Sequence, residues 1–254
     1  MPPMTLWLWP LGLYPRRLTF YLRAKFPSGI PSSIDLKIVQ CSINPATGQF
    51  EPPNGLEDRP VGCSFPVLRI GDKGSGMLVK QASPMLEFLE DVFDSIDEGD
   101  GQGWTTMRPS TALGKAKMRD VVNMVNEVVD IFNIVARHGF ISALQWSGLT
   151  REQMSPLAAR DALNMVHQRL TKLDEWVGRD IIRERWLAGS EHVGIADCNM
   201  VAFVVYVDCV YGMDLCASHN SLRKWYEKYK EHASFSEDPG MPEGMRHGAE
   251  DRIF

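Results

Sequence analysis

The stretch TLWLWPLGLYPRRLTFYLRAK, residues 5–25, combines a strand pattern and a helix pattern, and these two patterns indicate the fold. TLWLW, residues 5–9, is a short apolar run of the kind found in buried strands. After a tight turn, Pro15 fits the first turn of a helix, where its missing N–H costs no hydrogen bond. The helix then has an apolar face at helical spacing, made by Leu18, Tyr21 and Leu22. The stretch predicts a strand, a turn and a helix.

Further strands and one helix are predicted up to residue 94. IDLKIVQCSI (34–43) alternates apolar and polar residues and predicts a second strand. Residues 44–64 are rich in Pro, Gly and Asn and predict irregular structure. FPVLRI (65–70) and MLVK (77–80) predict two more strands. SPMLEFLEDVF (83–93) predicts a helix with Ser83 as N-cap and Pro84 in the first turn.

The remainder of the chain predicts helices almost exclusively. Residues 95–109 carry Gly, Asp and Pro and predict a linker between a domain of residues 1–94 and a helical domain of residues 110–254. Periodic apolar residues predict one helix over 110–138 and another around 163–176. IADCNMVAFVVYVDCVY (195–211) is apolar nearly all round, which predicts a central buried helix. An amphipathic surface helix is predicted over 221–235, and the weakly periodic tail from Ser236 predicts partial disorder or a path along the surface. The fold class is therefore α+β.

Composition and charge argue against several classes of function. The formal net charge is −5 without a large basic block, which argues against a nucleic-acid partner. No apolar run reaches the roughly 18 residues that a membrane span needs, and the first ten residues do not resemble a signal peptide. The five cysteines follow no zinc spacing and predict reduced, mostly buried thiols. The six histidines form no metal-ligand pair on one helical face, so no metal site is expected.

Five pieces of the sequence, in this order and spacing, resemble the cytosolic glutathione transferases, in particular fungal members. They are YPRRLTFYLRAK (14–25), SFPVL (64–68), KQASPMLEFLED (80–91), GIADCNM (194–200) and LRKWYEKYKEHASF (222–235). The resemblance extends from Leu6 to Phe235. It implies a thioredoxin-like domain followed by an all-helical domain, and a cytoplasmic protein that is usually a homodimer. In GIADCNM, Asp197 is expected to cap its own helix, a structural role.

The resemblance also implies a binding site for glutathione. It places a cis-proline at Pro66, so that the Phe65 backbone can pair with an extended tripeptide like an added strand. The QAS turn (Gln81, Ala82, Ser83) opens a helix whose free N–H groups suit the glutamyl carboxylate. Ala82 stands where the family usually has serine, so glutathione affinity is expected to be modest; Ser83 either substitutes for that serine or caps the helix, and capping is preferred.

In this family the nucleophile is the thiol of glutathione, and the protein lowers its pKa. A hydroxyl, a helix dipole and a nearby cation all favour a thiolate. Tyr14 offers the hydroxyl, the helix offers the dipole and Arg16 offers the charge, which makes Tyr14 and Arg16 the candidate catalytic residues. The family's Ser or Cys falls on Gly12 or Leu13, neither of which donates from its side chain, so Tyr14 either activates the thiol or merely packs. Arg17 is expected to be structural.

A polar stripe follows one face of the first helix of the helical domain. Its members recur at steps of three and four residues: Asn123, Asn126, Asp130, Asn133 and Arg137. Asparagine is a poor helix former, and apolar valines flank the stripe on both sides. We therefore prefer a cleft wall or dimer interface over a solvated face. The resemblance implies an electrophile site between the two domains, to which Leu13, Asn123, Asn126, Asp130 and Asn133 are assigned.

Two classes of function follow from the resemblance. The first is a glutathione-dependent enzyme that adds the thiolate to a small, hydrophobic, oxygenated electrophile, with the adduct released or with glutathione recycled in a cis–trans isomerisation. The isomerisation would suit fungal specialised metabolism. The second is a non-catalytic ligand carrier or assembly module, which Ala82 and the missing Ser or Cys favour. A thiol-disulfide reductase ranks low because no cysteine lies in the first helical turn.

Overall fold

The computed structural model describes residues 2–44, 46–100, 104–235 and 251–254, with only the backbone given for 97–100. The chain divides into two compact units, residues 1–107 and residues 108–254. The first unit contains a small mixed sheet with helices, and the second is helical. The predicted α+β class is confirmed.

The first unit is built on a four-stranded sheet. Its strands are β1 (Met4–Leu8), β2 (Leu36–Gln40), β5 (Val67–Ile70) and β6 (Met77–Val79), in the order β2-β1-β5-β6. Strand β1 is parallel to β2 and antiparallel to β5, which is antiparallel to β6. Every residue of β1 is buried, as its apolar sequence predicts. A separate antiparallel pair joins β3 (Ser42–Ile43) and β4 (Phe50–Glu51).

Two helices of this unit, α1 (Leu13–Lys25) and α2 (Ala82–Asp100), are joined by a buried network of charged and polar groups. Lys25 Nζ lies 3.1 Å from Glu90 Oε1 and 3.0 Å from Asp94 Oδ1, and the side chains of Lys25 and Glu90 are fully buried. Tyr21 donates its hydroxyl to Glu90 Oε2 at 2.5 Å. Thr106 Oγ1 and the Met107 N–H also donate to Glu90. Because every donor in this network converges on one carboxylate, Glu90 sets how α1 and α2 pack.

The second unit consists of long helices around one apolar helix. The helices are α3 (Ala112–Gly139), the short α4 (Leu144–Ser147), α5 (Pro156–Ile182), α6 (Ile195–Tyr211) and α7 (Asn220–Lys230). One 3₁₀ turn, Ile141–Ala143, connects α3 to α4, and another, Arg151–Gln153, precedes α5. Helix α6 spans the predicted central stretch, and nearly all its residues are buried.

The predicted cap of α6 is present. Asp197 Oδ2 accepts the Gly194 N–H at 3.0 Å, so the third helical residue binds the backbone of the N-cap residue. This is one half of a capping box, because Gly194 has no side chain to return the bond. Asp197 Oδ1 also accepts the Leu187 N–H at 3.1 Å and Trp225 Nε1–H at 2.8 Å. Burial nevertheless raises the pKa of Asp197 to about 6. The carboxyl thus ties α6 to α7 and to the chain before α6, a structural role.

The structure differs from the sequence predictions at several boundaries. The strand predicted over 34–43 is divided into β2 and β3, and the segment predicted to be irregular contains β4. Residues 95–100, assigned to the linker, continue α2, because the chain has no proline between Pro84 and Pro109 and Gly or Asp alone weakens a helix without ending it. The tail prediction for 236–250 lies outside the described residues. Within the described ranges, no helix is both long and apolar enough to cross a membrane.

Candidate glutathione site at the sheet edge

Helix α1 begins two residues before the predicted start at Pro15. Gly12 is the N-cap in extended conformation, and its carbonyl accepts the Arg16 N–H at 3.1 Å. Glycine is tolerated at an N-cap, and Pro15 occupies the third helical position, where an N–H would have no helical acceptor. A Cβ on Gly12 would lie 3.0 Å from the Trp9 ring, so the turn is tightly packed. Tyr14 is therefore the second residue of the helix, and the residue is 38% exposed.

Both arginines that follow Pro15 are buried. Arg16 is 4% exposed, and its Nε donates to the Leu11 carbonyl at 3.3 Å. Arg17 is 1% exposed, and its guanidinium carbon lies 5.0 Å from the centroid of the Tyr14 ring. The first turn of α1 contains no acidic residue. Two guanidinium groups therefore add their charge to the positive end of the helix dipole, a combination that favours an anion.

The sheet register brings three predicted segments to one edge. Trp7 in β1 is paired with Val67 in β5, and Leu68 in β5 is paired with Val79 in β6. The end of β1, the start of β5 and the end of β6 therefore lie side by side. The first turn of α1 follows β1 after a short turn, the Phe65–Pro66 bond immediately precedes β5, and α2 starts shortly after β6. The Phe65–Pro66 peptide bond is cis.

The start of α2 differs from the prediction for Ser83. The Gln81 carbonyl accepts the Met85 N–H at 3.1 Å, which makes Gln81 the N-cap and Ala82 the first helical residue. Ser83 is the second residue of the helix and half-buried, so its predicted role as N-cap is wrong, while Pro84 lies in the first turn as predicted. The Gln81 side chain is exposed and Ala82 is buried. The first-turn N–H groups of α2 have no helical acceptors and suit a carboxylate.

Three aromatic side chains and one arginine pack together beside these segments and form a group that was not predicted from the sequence. We call this group the aromatic wall. The wall consists of Trp9, Phe50, Phe65 and Arg59. The Trp9 and Phe50 ring centroids are 5.1 Å apart, those of Phe50 and Phe65 are 5.0 Å apart, and the Arg59 guanidinium carbon lies 4.6 Å from the Phe65 ring. Arg59 Nε is buried, with no hydrogen-bond partner among the described residues. A buried donor without an acceptor is costly, so this N–H is a candidate contact for a ligand oxygen.

The polar stripe of α3 lies in the second unit. Asn123, Asp130 and Asn133 are exposed and Asn126 is half-buried, while the opposite face of α3 carries buried valines and Phe132. Solvated faces, cleft walls and dimer interfaces are all exposed on a single chain. The role of the stripe therefore stays a prediction, as does the assignment of the half-buried Leu13 to substrate binding.

All five cysteines lie among the described residues. Cys41, Cys63, Cys198 and Cys216 are buried, Cys209 is half-buried, and none of the five forms a disulfide bond. Burial raises the pKa of Cys41, which disfavours a reactive thiolate there. Across the part of the chain that the structure describes, no three His, Cys, Asp or Glu residues are arranged to hold a metal ion.

Comparison with solved structures identifies the fold. A glutathione S-transferase from Methylobacillus flagellatus with glutathione bound matches with a TM-score of 0.63 and 17% identity, over 91% of this chain and 96% of that one. A glutathione S-transferase from Rhodospirillum rubrum matches with a TM-score of 0.63 and 18% identity, over 96% of each chain. A glutathione transferase family member from Pseudomonas fluorescens with bound glutathione matches with a TM-score of 0.62 and 15% identity, over 94% of this chain and all of that one.

These matches show that the chain has the glutathione transferase fold, with a thioredoxin-like unit followed by a helical unit. At 15–18% identity, the similarity concerns the fold alone. No protein-family model matches the sequence, and no curated protein is significantly similar to it.

Proposed function

We propose that the chain is a glutathione-dependent enzyme that directs the glutathione thiolate to a small, hydrophobic, oxygenated electrophile. The observation that carries this proposal is the convergence of three segments at one sheet edge: the first turn of α1, the Phe65–Pro66 bond and the first turn of α2. Two of the structural neighbours were solved with glutathione bound, which supports the choice of ligand.

The residues at the edge match the chemical groups of the tripeptide. The backbone of Phe65 is an edge with which an extended peptide can pair like an added strand. Gln81, Ala82 and Ser83 present a side-chain amide, backbone N–H groups and a hydroxyl to the glutamyl end. We assign Arg59 to the carboxylate at the other end, because its buried Nε lacks a partner among the described residues and guanidinium groups bind carboxylates well.

The first turn of α1 would stabilise the thiolate. Glutathione supplies the nucleophilic sulfur, whose thiol titrates near pH 8.5 in water, so only a few per cent is thiolate at neutral pH. The dipole of α1 and the buried charge of Arg16 favour the anion, and the Tyr14 hydroxyl is the candidate donor to it. The thiol proton leaves to water. As the sulfur forms its bond to the electrophilic carbon, an electron pair leaves that carbon: the π pair of an activated alkene moves to the carbonyl as an enolate, the C–O bond of an epoxide breaks to give an alkoxide, or the C–halogen bond of a halide breaks to release halide. The enolate or alkoxide then takes a proton from water.

Leu13 in the first unit and the polar stripe of α3 in the second stay the residues that we assign to the electrophile. The amides of Asn123, Asn126 and Asn133 can donate hydrogen bonds to oxygen atoms of a substrate, and Asp130 can accept one. Such contacts suit an activated alkene bearing a carbonyl better than a plain hydrocarbon. With such an alkene, the product either keeps glutathione or loses it again after rotation about the former double bond.

Mass spectrometry of reaction mixtures tests the proposal. The protein is incubated with glutathione and, in turn, an aryl halide, an epoxide and an α,β-unsaturated ketone of cis geometry. We expect protein-dependent formation of an adduct or of the trans ketone. Absence of both with all three electrophiles, at millimolar glutathione, would argue against an enzyme. Persistence of the adduct distinguishes conjugation from isomerisation.

One observation favours a second candidate, a non-catalytic carrier or assembly module. Ala82 is buried at the start of α2 and provides no hydroxyl for the glutamyl carboxylate. Calorimetric titration with glutathione discriminates between the two. No heat of binding at millimolar ligand supports the module, whereas saturable binding together with a lowered pKa of the bound thiol supports the enzyme. The homodimer, the cytoplasmic location and a role in fungal specialised metabolism all stay predictions.

A further inference from the structure

The described residues at the end of the sequence, Asp251–Phe254, lie against the junction between α3 and α4. We call them the DRIF segment, after their sequence. The backbone pairs in an antiparallel bridge between Arg252 and Phe140. The Ile253 N–H donates to the Gly139 carbonyl at 2.9 Å. Gly139 is the last residue of α3, where carbonyls lack helical donors, so the segment satisfies a backbone group that the helix leaves open.

The acidic side chain of the segment is held by two hydrogen bonds. Ser142 donates its N–H to Asp251 Oδ1 at 3.0 Å and its hydroxyl to Asp251 Oδ2 at 2.6 Å. The 3₁₀ turn that begins at Ile141 has no side-chain cap of its own. Each carboxylate oxygen of Asp251 therefore accepts a hydrogen bond from a different donor of Ser142. Charge-assisted hydrogen bonds of this kind favour an aspartate over a neutral residue at this position.

The aromatic side chain fits a notch that only glycine leaves open. A Cβ on Gly139 would lie 2.4 and 2.6 Å from two atoms of the Phe254 ring. The Phe254 ring centroid is 6.0 Å from that of Phe140, edge to face, and the Arg252 guanidinium lies 4.2 Å above Phe254. Behind the notch, Phe140 packs on Tyr211 with centroids 4.6 Å apart. The site therefore selects an aromatic ring at this position.

Peptide-binding sites that pair with an extended backbone gain affinity from the backbone hydrogen bonds and specificity from pockets for side chains. The DRIF segment makes both kinds of contact, with Asp251 and Phe254 as the two side chains held in pockets. We propose that the groove formed by Gly139, Phe140 and Ser142 is a recognition site for extended peptides with an acidic residue three places before an aromatic one. The chain's own DRIF segment is its resident ligand. The groove uses none of the residues assigned to glutathione, so the inference stands independently of the proposed function.

Fluorescence anisotropy with a labelled peptide tests the groove in the full chain. The resident ligand is disabled by the double substitution Asp251→Ala and Phe254→Ala, and the probe is the labelled heptapeptide Gly-Ala-Glu-Asp-Arg-Ile-Phe. We expect saturable binding to the double variant and little binding to the unaltered chain, whose groove is filled. Replacing Asp or Phe of the peptide by Ala should raise Kd at least about tenfold. Adding Gly139→Ala to the double variant should abolish binding.

Three results would overturn the proposal: no binding to a double variant with an unchanged circular dichroism spectrum, equal binding of the three peptides, or equal binding by the unaltered chain. Hydrogen exchange decides the case in which the double variant does not fold. In the otherwise unaltered chain, Ser142→Ala should accelerate exchange of the Ile253 amide at least about tenfold, since it removes one of the donors to Asp251. Unchanged exchange would contradict a specific groove.

Discussion

At the scale of single residues, Tyr14 is the side chain on which the proposed chemistry depends most. It lies at the second position of α1, with its ring against the buried Arg17 guanidinium and more than a third of the residue exposed. The aromatic ring is thereby held by a cation while the hydroxyl belongs to a solvent-accessible side chain. A hydroxyl so placed near a helix N-terminus is suited to donate to an anion.

Tyr14→Phe removes that hydroxyl and little else. If it donates to the thiolate, kcat/KM at neutral pH should fall about 10- to 100-fold, the range expected when one hydrogen bond to a charged group is lost. Steady-state kinetics over pH 6–9 provides the measurement, and the loss should shrink as pH rises because the thiol then ionises unaided. Tyr226→Phe, on α7 outside the assigned site, serves as control. Equal activity of Tyr14→Phe and wild type would leave activation to the helix dipole and Arg16.

Arg59 is also argued as a single residue, and its expected effect is on the affinity for glutathione. Arg59→Met should raise the Kd for glutathione about tenfold while leaving kcat nearly unchanged, because the cation is assigned to a carboxylate distant from the sulfur. Arg59→Lys should recover only part of the affinity, since lysine has no Nε. Calorimetry gives the Kd, and Arg23→Met, at an exposed position of α1, controls for the loss of one positive charge. An unchanged Kd in Arg59→Met would place the carboxylate elsewhere.

At the scale of elements, the C-terminal half of α1 is attached to α2. Lys25 and Glu90 form a fully buried ion pair that also binds Tyr21 and the chain at Thr106 and Met107. A buried pair of this kind is weak evidence for net stability, but breaking it leaves one charge uncompensated. The orientation of α1, and with it the position of Tyr14, depends on this pair.

Lys25→Met should therefore lower the free energy of unfolding by about 3–5 kcal/mol, because Glu90 stays buried without its cation. Adding Glu90→Gln to Lys25→Met removes the charge and should restore part of the stability. Urea unfolding of the two variants measures the difference, with Lys73→Met as a control at an exposed lysine of the same unit. A loss below about 1 kcal/mol in Lys25→Met would show that the network does not hold α1.

Element order and helix periodicity could be predicted from the sequence, and exact starts could not. The apolar stretch of α6 fixes its own bounds because nearly all its residues are buried. The starts of α1 and α2 were each predicted two residues late because proline was taken as the first helical residue, whereas both helices begin before it. The wall of Trp9, Phe50, Phe65 and Arg59 was missed for a different reason: its members are distant in sequence and only the packing of the irregular segment brings them together.

At the scale of the whole molecule, histidines make stability depend on pH. His167 Nδ1 and His219 Nε2 are 3.1 Å apart with stacked rings, and His219 is the N-cap residue of α7. His232, after the other end of α7, is bonded through Nδ1 to Ser234. Burial lowers the pKa of all three imidazoles; the partner His167 adds to this for His219, and Asp174 opposes it. The hydrogen bond between His167 and His219 requires that at least one of these two rings is neutral. The Ser234 N–H donates to His232 Nδ1, so that nitrogen must be unprotonated.

The sign of the effect follows from proton uptake. Histidines of the unfolded chain bind protons near pH 6.5, whereas the native rings bind them only at lower pH, so unfolding takes up protons in this window. The melting temperature should therefore fall as pH decreases through 6.5 and level off below the native pKa values. Burial of Asp197, which raises its pKa to about 6, acts in the opposite direction. Calorimetric melts of wild type and His219→Gln separate the two: the variant should show a smaller fall. Identical pH profiles would show that the histidine pair does not contribute.

The central claim is that the sheet edge binds glutathione and ionises its thiol. Ultraviolet absorbance of the thiolate, followed during a pH titration of the protein saturated with glutathione, measures this directly. The account predicts a thiol pKa at least about one unit below the free value of about 8.5, because the α1 dipole, Arg16 and Tyr14 all favour the anion. A bound thiol that titrates at about 8.5, or no saturable binding at millimolar glutathione, would contradict it.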